Sequence, residues 1–356
     1  MTGSINNEKE VVMNTRITTR KWDDFHVHLR KEALLRIAVP HTAAYFKRAL
    51  VMPNIKPPVC DMLVAKRYRN EILDVAHRSG YPDFEPLMTI KIVDGMNSGT
   101  VSLAHAFGAV AGKAYPVGAT TNSEEGVSDF RHPRLRRVFE EMEAGGMVLS
   151  VHGEMPLAPS LEREARFLCE LEWLATQFPK LKIVMEHITT RKAVEAVCSL
   201  PSTVAATITV HHLFLTLDDV IGGKLNPHHF CKPIAKTLDD RAAVQEAAIS
   251  GNPKFFFGSD SALQRRENKE CGAGEAGIFT SPVAPSLLAE FFESRESLHR
   301  LESFVSRFGA EFYGLPLNKG TITLIKEPWE VPRIYSSFIV PFKAGETLQW
   351  KVVERS

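Results

Sequence analysis

Short apolar or β-branched runs recur along the chain, separated by stretches whose apolar positions return every three to four residues. Runs of the first kind, at 25–29, 49–53, 87–93, 111–115, 148–152, 183–187, 204–210 and 254–258, each predict a strand. Between them, 61–77, 133–144, 160–177, 191–199 and 239–250 carry helical spacing. Several of these end at helix stops such as Gly145-Gly146, Phe178-Pro179 and Gly251. Strand then helix, repeated, predicts an α/β fold with a parallel sheet and helical crossovers. Eight such units over about 250 residues have the size of a (β/α)8 TIM barrel, whose reactive groups sit at the C-terminal ends of its strands. A doubly wound open sheet is the rival. Further on, 284–294 and 298–308 predict helices, and 321–326 and 347–353 predict strands. These are read as a C-terminal part, about 284–356, packed on a single barrel domain spanning 16–356.

Two long uncharged stretches, 95–112 and 198–217, change that picture little. Asn97, Ser98, Ser102 and His105 interrupt the first, and Pro201, several threonines and His211-His212 the second. Neither reads as a membrane span, and both are expected in a packed core. Residues 1–15 are polar and mixed in charge, without the apolar centre of a secretory signal, and are expected to form a flexible leader. The 356 residues carry 43 Lys and Arg against 42 Asp and Glu, a net charge of +1, so no electrostatic footprint for nucleic acid or an acidic membrane is present. A small-molecule partner is expected. Five scattered cysteines, with no Cys-x-x-Cys, predict neither a disulfide framework nor a zinc ribbon and fit a reducing, cytoplasmic setting.

The candidate chemistry lies at the strand ends. In Asp23-Asp24-Phe25-His26-Val27-His28-Leu29-Arg30, strand alternation sends His26 and His28 to one face and Phe25, Val27 and Leu29 to the other. Two imidazoles on one face are half of a metal site, or merely two hydrogen-bonded histidines. Further runs end in Met52-Pro53-Asn54, Lys113-Ala114-Tyr115-Pro116, Val151-His152-Gly153-Glu154, Glu186-His187 and Gly258-Ser259-Asp260. Singly, each has a structural explanation: a snorkelling lysine, core histidines, a helix cap. Together, at one rim of a barrel, they describe a ligand set of nitrogen and oxygen donors suited to Zn2+ and too large for one tetrahedral ion. Two metals then call for a bridging anionic oxygen. A buried lysine amine that loses its proton can take up CO2 and become a carbamate.

The motifs Asp-Phe-His-Val-His-Leu-Arg, Val-Met-Pro-Asn, Lys-Ala-Tyr-Pro, Val-His-Gly-Glu, Glu-His-Ile-Thr-Thr and Gly-Ser-Asp-Ser-Ala occur in that order. With His211-His212-Leu213-Phe214, Phe230-Cys231-Lys232-Pro233 and Pro341-Phe342-Lys343-Ala344-Gly345-Glu346, the chain from about residue 20 to its end resembles the short, single-enzyme dihydroorotases of the amidohydrolase superfamily. The resemblance implies two Zn2+ ions bridged by N-carboxylated Lys113. His26, His28 and Asp260 would hold one ion and His152 and His187 the other, with Asp260 also acting as acid and base. It implies reversible closure of N-carbamoyl-aspartate to dihydroorotate, a step of pyrimidine biosynthesis, in a homodimer. For the substrate it implies carboxylate contacts from Arg30 and Asn54, ring contacts from the backbone of Lys232 and Ala276, and a closing loop at Thr120-Thr121.

One position departs from the family pattern. Where the family usually reads Asp-Ser-Ala-Pro-His, this chain reads Asp260-Ser261-Ala262-Leu263-Gln264-Arg265-Arg266, so Gln264 occupies the place of a histidine expected at the substrate carboxylate. An amide donates a hydrogen bond but is never cationic; Arg265 or Arg266, swung inward, would compensate. The departure keeps two alternatives in view, an amidohydrolase acting on another cyclic amide and a non-catalytic scaffold. The complete ligand set counts against the scaffold. Gly272-Ala273-Gly274-Glu275-Ala276-Gly277 has the bare pattern of a dinucleotide loop but lacks the preceding strand and following helix, and reads as a loop near the substrate. His211 and His212 are expected to support or pack.

Overall fold

The computed structural model describes residues 15–355; the expected leader, Thr15 apart, lies outside the described residues. β1 (Arg16–Arg20) opens the chain. Then β2 (Trp22–His28), β3 (Phe46–Val51), β4 (Glu85–Ile92), β5 (Ala109–Ala114), β6 (Val148–Val151), β7 (Ile183–Met185), β8 (Val204–Ile208) and β9 (Phe255–Phe257) stand in parallel in chain order. The two-residue β10 (Ser261–Ala262) pairs with β2, so the row returns to its start and closes a (β/α)8 barrel.

All eight expected strands form, and each stops one or two residues before its expected end, with polar residues such as His152, Glu186 and His187 lying just past the ladder. Those residues carry the chemistry.

The crossover helices are α1 (Glu32–Ala43), α2 (Met62–Arg78), α3 (Ser98–Ala106), α4 (Pro133–Gly145), α5 (Arg163–Gln177), α6 (Arg191–Ser199), α7 (Val210–Phe214), α8 (Asp218–Ile221) and α9 (Leu238–Ile249), with the short α10 (Arg266–Lys269) after the last strand. Local sequence sets their ends. The Asp61 carboxylate accepts from the N–H groups of Leu63 and Val64 at the start of α2, α4 begins at Pro133 and stops on left-handed Gly146, and Thr237 and Asp240 form a capping box on α9. The sequence pattern does not give α1, whose apolar residues Leu35, Ile37, Ala38 and Val39 run together and which carries Pro40 in its last turn. It also misplaces 95–112: α3 in that stretch buries Val101 and Ala104 but leaves Leu103 and, just past its end, Phe107 facing solvent. The stretch 198–217 is largely buried from Val204 onward, as expected.

Both faces of the strands are covered, as a parallel sheet requires. Phe25, Leu50, Leu87, Ala111, Val148, Val184, Ala205 and Phe256, one from each strand, form an interior cluster capped by Ala310, Phe308, Phe312 and Tyr313. The outer layer takes Val27, Val51, Ile90, Leu149, Met185, Ala206 and Phe257 against the helices. Strict alternation fails in β2: its register against β3 shifts between Asp24 and Val27, so Phe25 joins the interior cluster while Val27 and Leu29 join the outer one.

α11 (Ala284–Ser294) and α12 (Leu298–Glu302) follow. The expected helix 298–308 is interrupted by a π-helical turn, Ser303–Arg307, before α13 (Phe308–Tyr313). β11 (Thr321–Glu330) and β12 (Thr347–Arg355) join β1 in a three-stranded antiparallel sheet, with Trp350 of β12 fully buried in the outer core. No helix among the described residues is long and apolar enough to cross a membrane.

Candidate metal centre

Closure of the barrel sets the first and last strands side by side. Asp260, which follows β9, donates its N–H to the carbonyl of His26 on β2 at 2.8 Å, and its Oδ1 lies 3.0 Å from His28 Nε2 and 3.4 Å from His26 Nε2. The three side chains offer donor atoms within 4.8 Å of one another. From His26 the rings continue around the rim: His26 to His187 is 5.0 Å between centroids and His187 to His152 is 4.8 Å.

Buried carboxylates set the tautomers of two of the imidazoles, His26 and His152. Glu186, at the end of β7, accepts from His26 Nδ1 at 2.8 Å, from Thr207 Oγ1 at 2.6 Å and from Ser150 Oγ. Burial opposes its ionisation, but the charges of His26 and Lys113 and these hydrogen bonds hold its pKa below the ordinary value. His26 therefore donates through Nδ1 and keeps the Nε2 lone pair for the centre, which is how a carboxylate prepares a histidine to bind metal. His152 donates through Nε2 to Glu154 at 2.8 Å, leaving Nδ1. Asp24 accepts from the backbone N–H and the hydroxyl of Ser259 and from the N–H of His26, tying β2 to the residue before Asp260.

Two residues of the rim hold left-handed backbone, His187 at φ 44° and Asp260 at φ 44°, and Arg30 stands at φ 60°. Non-glycine residues reach that region at a cost of about 1–3 kcal/mol each and keep it only where the surroundings hold them. Thr207 Oγ1 accepts the His187 N–H at 2.7 Å, and the bond to His26 holds Asp260.

Electrostatics match ligand duty. Burial lowers the pKa of His28 to about 4, outweighing its bond to Asp260, lowers His152, and takes His187 well below the ordinary value, so these rings are neutral at neutral pH. Burial works against ionisation of Asp260, but the bond to His28 and the charges of His26, His28 and His211 prevail and hold its carboxyl well below the usual carboxylate range. Lys113 on β5 is fully buried. Burial pulls its pKa down to about 8 against the opposing pull of Glu186 and Asp260, and its Nζ has no hydrogen-bond partner. The Nδ1 of His187 is likewise without one. An unpartnered buried amine among neutral imidazoles and an anionic carboxylate is what a divalent-cation centre with a lysine-derived bridge requires. The residues present fit the group.

Above the rings lies a narrow cavity. It is lined by His26, His28, Arg30, Asn54, Tyr115, Thr120, Thr121, His152, His187, Lys232, Asp260, Ala262, Ala276 and Gly277. Every expected substrate contact except Gln264 is on that wall. Arg30 donates through Nε to Leu263 O at 3.2 Å, and Asn54 Nδ2 donates to Thr121 O at 3.0 Å with its Oδ1 unpartnered. Gln264 stands behind the wall, donating to Ala276 O at 3.1 Å. Nor does either arginine beside it turn inward. Arg265 lies over the Phe338 ring and near Glu267, and Arg266 near Glu270.

The structure adds residues that motif reading did not single out. Glu186 and Asp24 support the candidate ligands, and Tyr115 lines the cavity with its hydroxyl unpartnered. The signal for Glu186 was its place directly before His187 at a strand end. His211 and His212 are buried in α7 with Cys231 nearby. His212 is bonded at both nitrogens, to Thr209 Oγ1 and Pro233 O, whereas both nitrogens of His211 lack partners.

A closed (β/α)8 barrel whose strand ends gather four histidines, a buried lysine and an aspartate places the chain in the amidohydrolase superfamily. No protein-family model matches the sequence. A curated dihydroorotase from Teredinibacter turnerae is 45% identical over 346 residues, covering 96% of this chain and 99% of that protein. The crystal structure of a dihydroorotase from Campylobacter jejuni superposes with a TM-score of 0.88 at 38% identity, over 95% of this chain and 98% of that one. A Saccharomyces cerevisiae dihydroorotase, crystallised with 5-fluoroorotic acid, superposes with 0.89 at 33% identity and the same coverage. The chain belongs to the dihydroorotase family.

Proposed function

We propose that this chain is a zinc-dependent dihydroorotase that interconverts N-carbamoyl-L-aspartate and (S)-dihydroorotate in pyrimidine nucleotide synthesis, working as a cytoplasmic homodimer. The observation that carries the reading is the unpartnered, buried Lys113 amine beneath a ring of neutral imidazoles and one ionised aspartate.

His26, His28 and Asp260 would hold one ion, His152 and His187 the other, and Lys113, carboxylated on Nζ, would bridge them. Divalent ions there supply positive charge beside the reacting carbonyl and make water nucleophilic near neutral pH. Asp260, ionised and at the cavity floor, takes the proton from the attacking water and delivers it to the departing ring nitrogen; in the direction of synthesis it runs the same transfer backwards. Arg30 offers the substrate carboxylate a guanidinium fork, and Asn54 with Thr120 and Thr121 forms the facing wall.

The test is turnover of both compounds by zinc-loaded protein, followed by chelation and zinc restoration, with metal content measured alongside. Activity is expected in both directions, lost on chelation and regained with zinc, at two ions per chain. Metal-loaded protein that turns over neither compound would overturn the reading. A chain that purifies without metal and takes up none would instead be the scaffold.

A further inference from the structure

One buried cation outside the ligand cluster is committed wholly to backbone. Lys269, the last residue of α10, is 4% exposed, and its Nζ donates to Gly277 O at 2.6 Å, Glu275 O at 3.0 Å and Phe230 O at 3.2 Å. An ammonium has three protons and no acceptor, so all three are used. Burial lowers its pKa to about 8, with Cys231 and Glu275 raising it and Arg30 lowering it, so the three protons stay in place through the neutral range.

The carbonyl between the two that Lys269 holds is taken by Gln264, whose Nε2 donates to Ala276 O. Three consecutive carbonyls, 275 to 277, are thus drawn to side-chain donors. The N–H of Gly277 donates to Phe230 O at 3.0 Å and stitches the two segments together. Gly277 itself stands at φ 137° with a notional Cβ 2.5 Å from Ala262 O, so only glycine passes this close to β10. Among the N–H groups that the stitched segments leave without an acceptor are those of Ala276 and Lys232. Both residues line the cavity, and neither N–H has an acceptor among the described residues.

We infer that Lys269 is a positioning residue for substrate: by gripping the carbonyls of Phe230, Glu275 and Gly277 it sets where the Ala276 and Lys232 N–H donors meet the carbonyl acceptors of a cyclic amide. The inference rests on the function proposed above. It also gives Gln264 a second-member role in the same brace rather than a contact with substrate.

Lys269→Met keeps length and apolar stem and removes all three donors. Two misplaced donors that bind ground state and transition state alike raise KM without changing kcat. The expected result is a KM for dihydroorotate higher on the order of tenfold, with kcat within about twofold of wild type and the metal content unchanged. Should Lys269→Met not accumulate as folded protein, Gln264→Leu removes the single donor to Ala276 O and is expected to raise KM in the same direction by a smaller factor. An unchanged KM in folded, metal-loaded variant, or a fall in kcat with metal loss and no change in KM, would overturn the inference. Wild type assayed in parallel separates the two readings: no turnover by wild type removes the function, whereas wild-type turnover with an unaltered variant removes only the role of Lys269.

Discussion

Arg30 shows how a single side chain can be half legible. Its place after His26-Val27-His28 put it at a strand end, and the structure sets it on the cavity wall with φ 60°, its carbonyl accepting from Tyr68 at 2.7 Å. With Gln264 turned away to Ala276 and Arg265 and Arg266 outside, the cations on the wall beyond the ligand set are Arg30 and Lys232. A charge-assisted bond to a buried carboxylate contributes on the order of 1.5–3 kcal/mol. Arg30→Ala is therefore expected to lower kcat/KM by roughly tenfold to a hundredfold or more, with metal content intact. A variant with wild-type kcat/KM would place the substrate carboxylate elsewhere. His26 and His28 were readable because a two-residue period is a property of the chain itself. The left-handed turns at His187 and Asp260 were not, since nothing local favours them and partners on neighbouring strands hold them.

The eight strands were legible because each is a short run dominated by apolar or β-branched residues, a pattern that suits a sheet covered on both faces. Helices with clean stripes and caps, such as α2, α4 and α9, were legible too, whereas α1 and α3 were hidden by a continuous apolar run and by small polar residues. The π-helical turn before α13 could not be read from residues 298–308, whose spacing is that of an ordinary helix, and α13 beyond it packs beneath the barrel. There Gly309 lies against Phe25, and a Cβ at that position would fall 2.3 Å from the Phe25 ring. Backbone and a β2 side chain that faces the interior cluster leave little room to yield. Gly309→Ala is expected to cost about 1–3 kcal/mol, read as a lower midpoint in denaturant, with kcat preserved in the folded fraction. An unchanged midpoint would mean that α13 shifts away from Phe25 freely.

Several imidazoles are kept neutral throughout the molecule, and this sets its response to acid. Burial lowers His211 to about 4 and His212 well below its ordinary value, with the charge of each neighbouring histidine or lysine adding to the effect. In the unfolded chain both take up protons near 6.5, and in the folded one they do not, so below 6.5 the unfolded state binds more protons. The stability they contribute is whole above pH 6.5 and is lost as pH falls toward 4. Thermal midpoints of metal-free protein are expected to drop through that window, and less steeply in His211→Phe. A flat profile would show that other groups compensate. The barrel as a whole was readable from periodicity, yet its closure was not, because β10 is only two residues long and is defined by the strand it meets. That seam has a consequence in time. His26 and His28 leave the ribosome more than two hundred residues before Asp260, the carboxylate that completes their cluster. A nascent chain halted short of β9 would thus carry both imidazoles and the Lys113 amine without that partner or the strand that brings it. On the proposed ligand assignment the position shared by His26, His28 and Asp260 would be completed late in biosynthesis, and the first appearance of activity would mark the moment at which the last strand reaches the first.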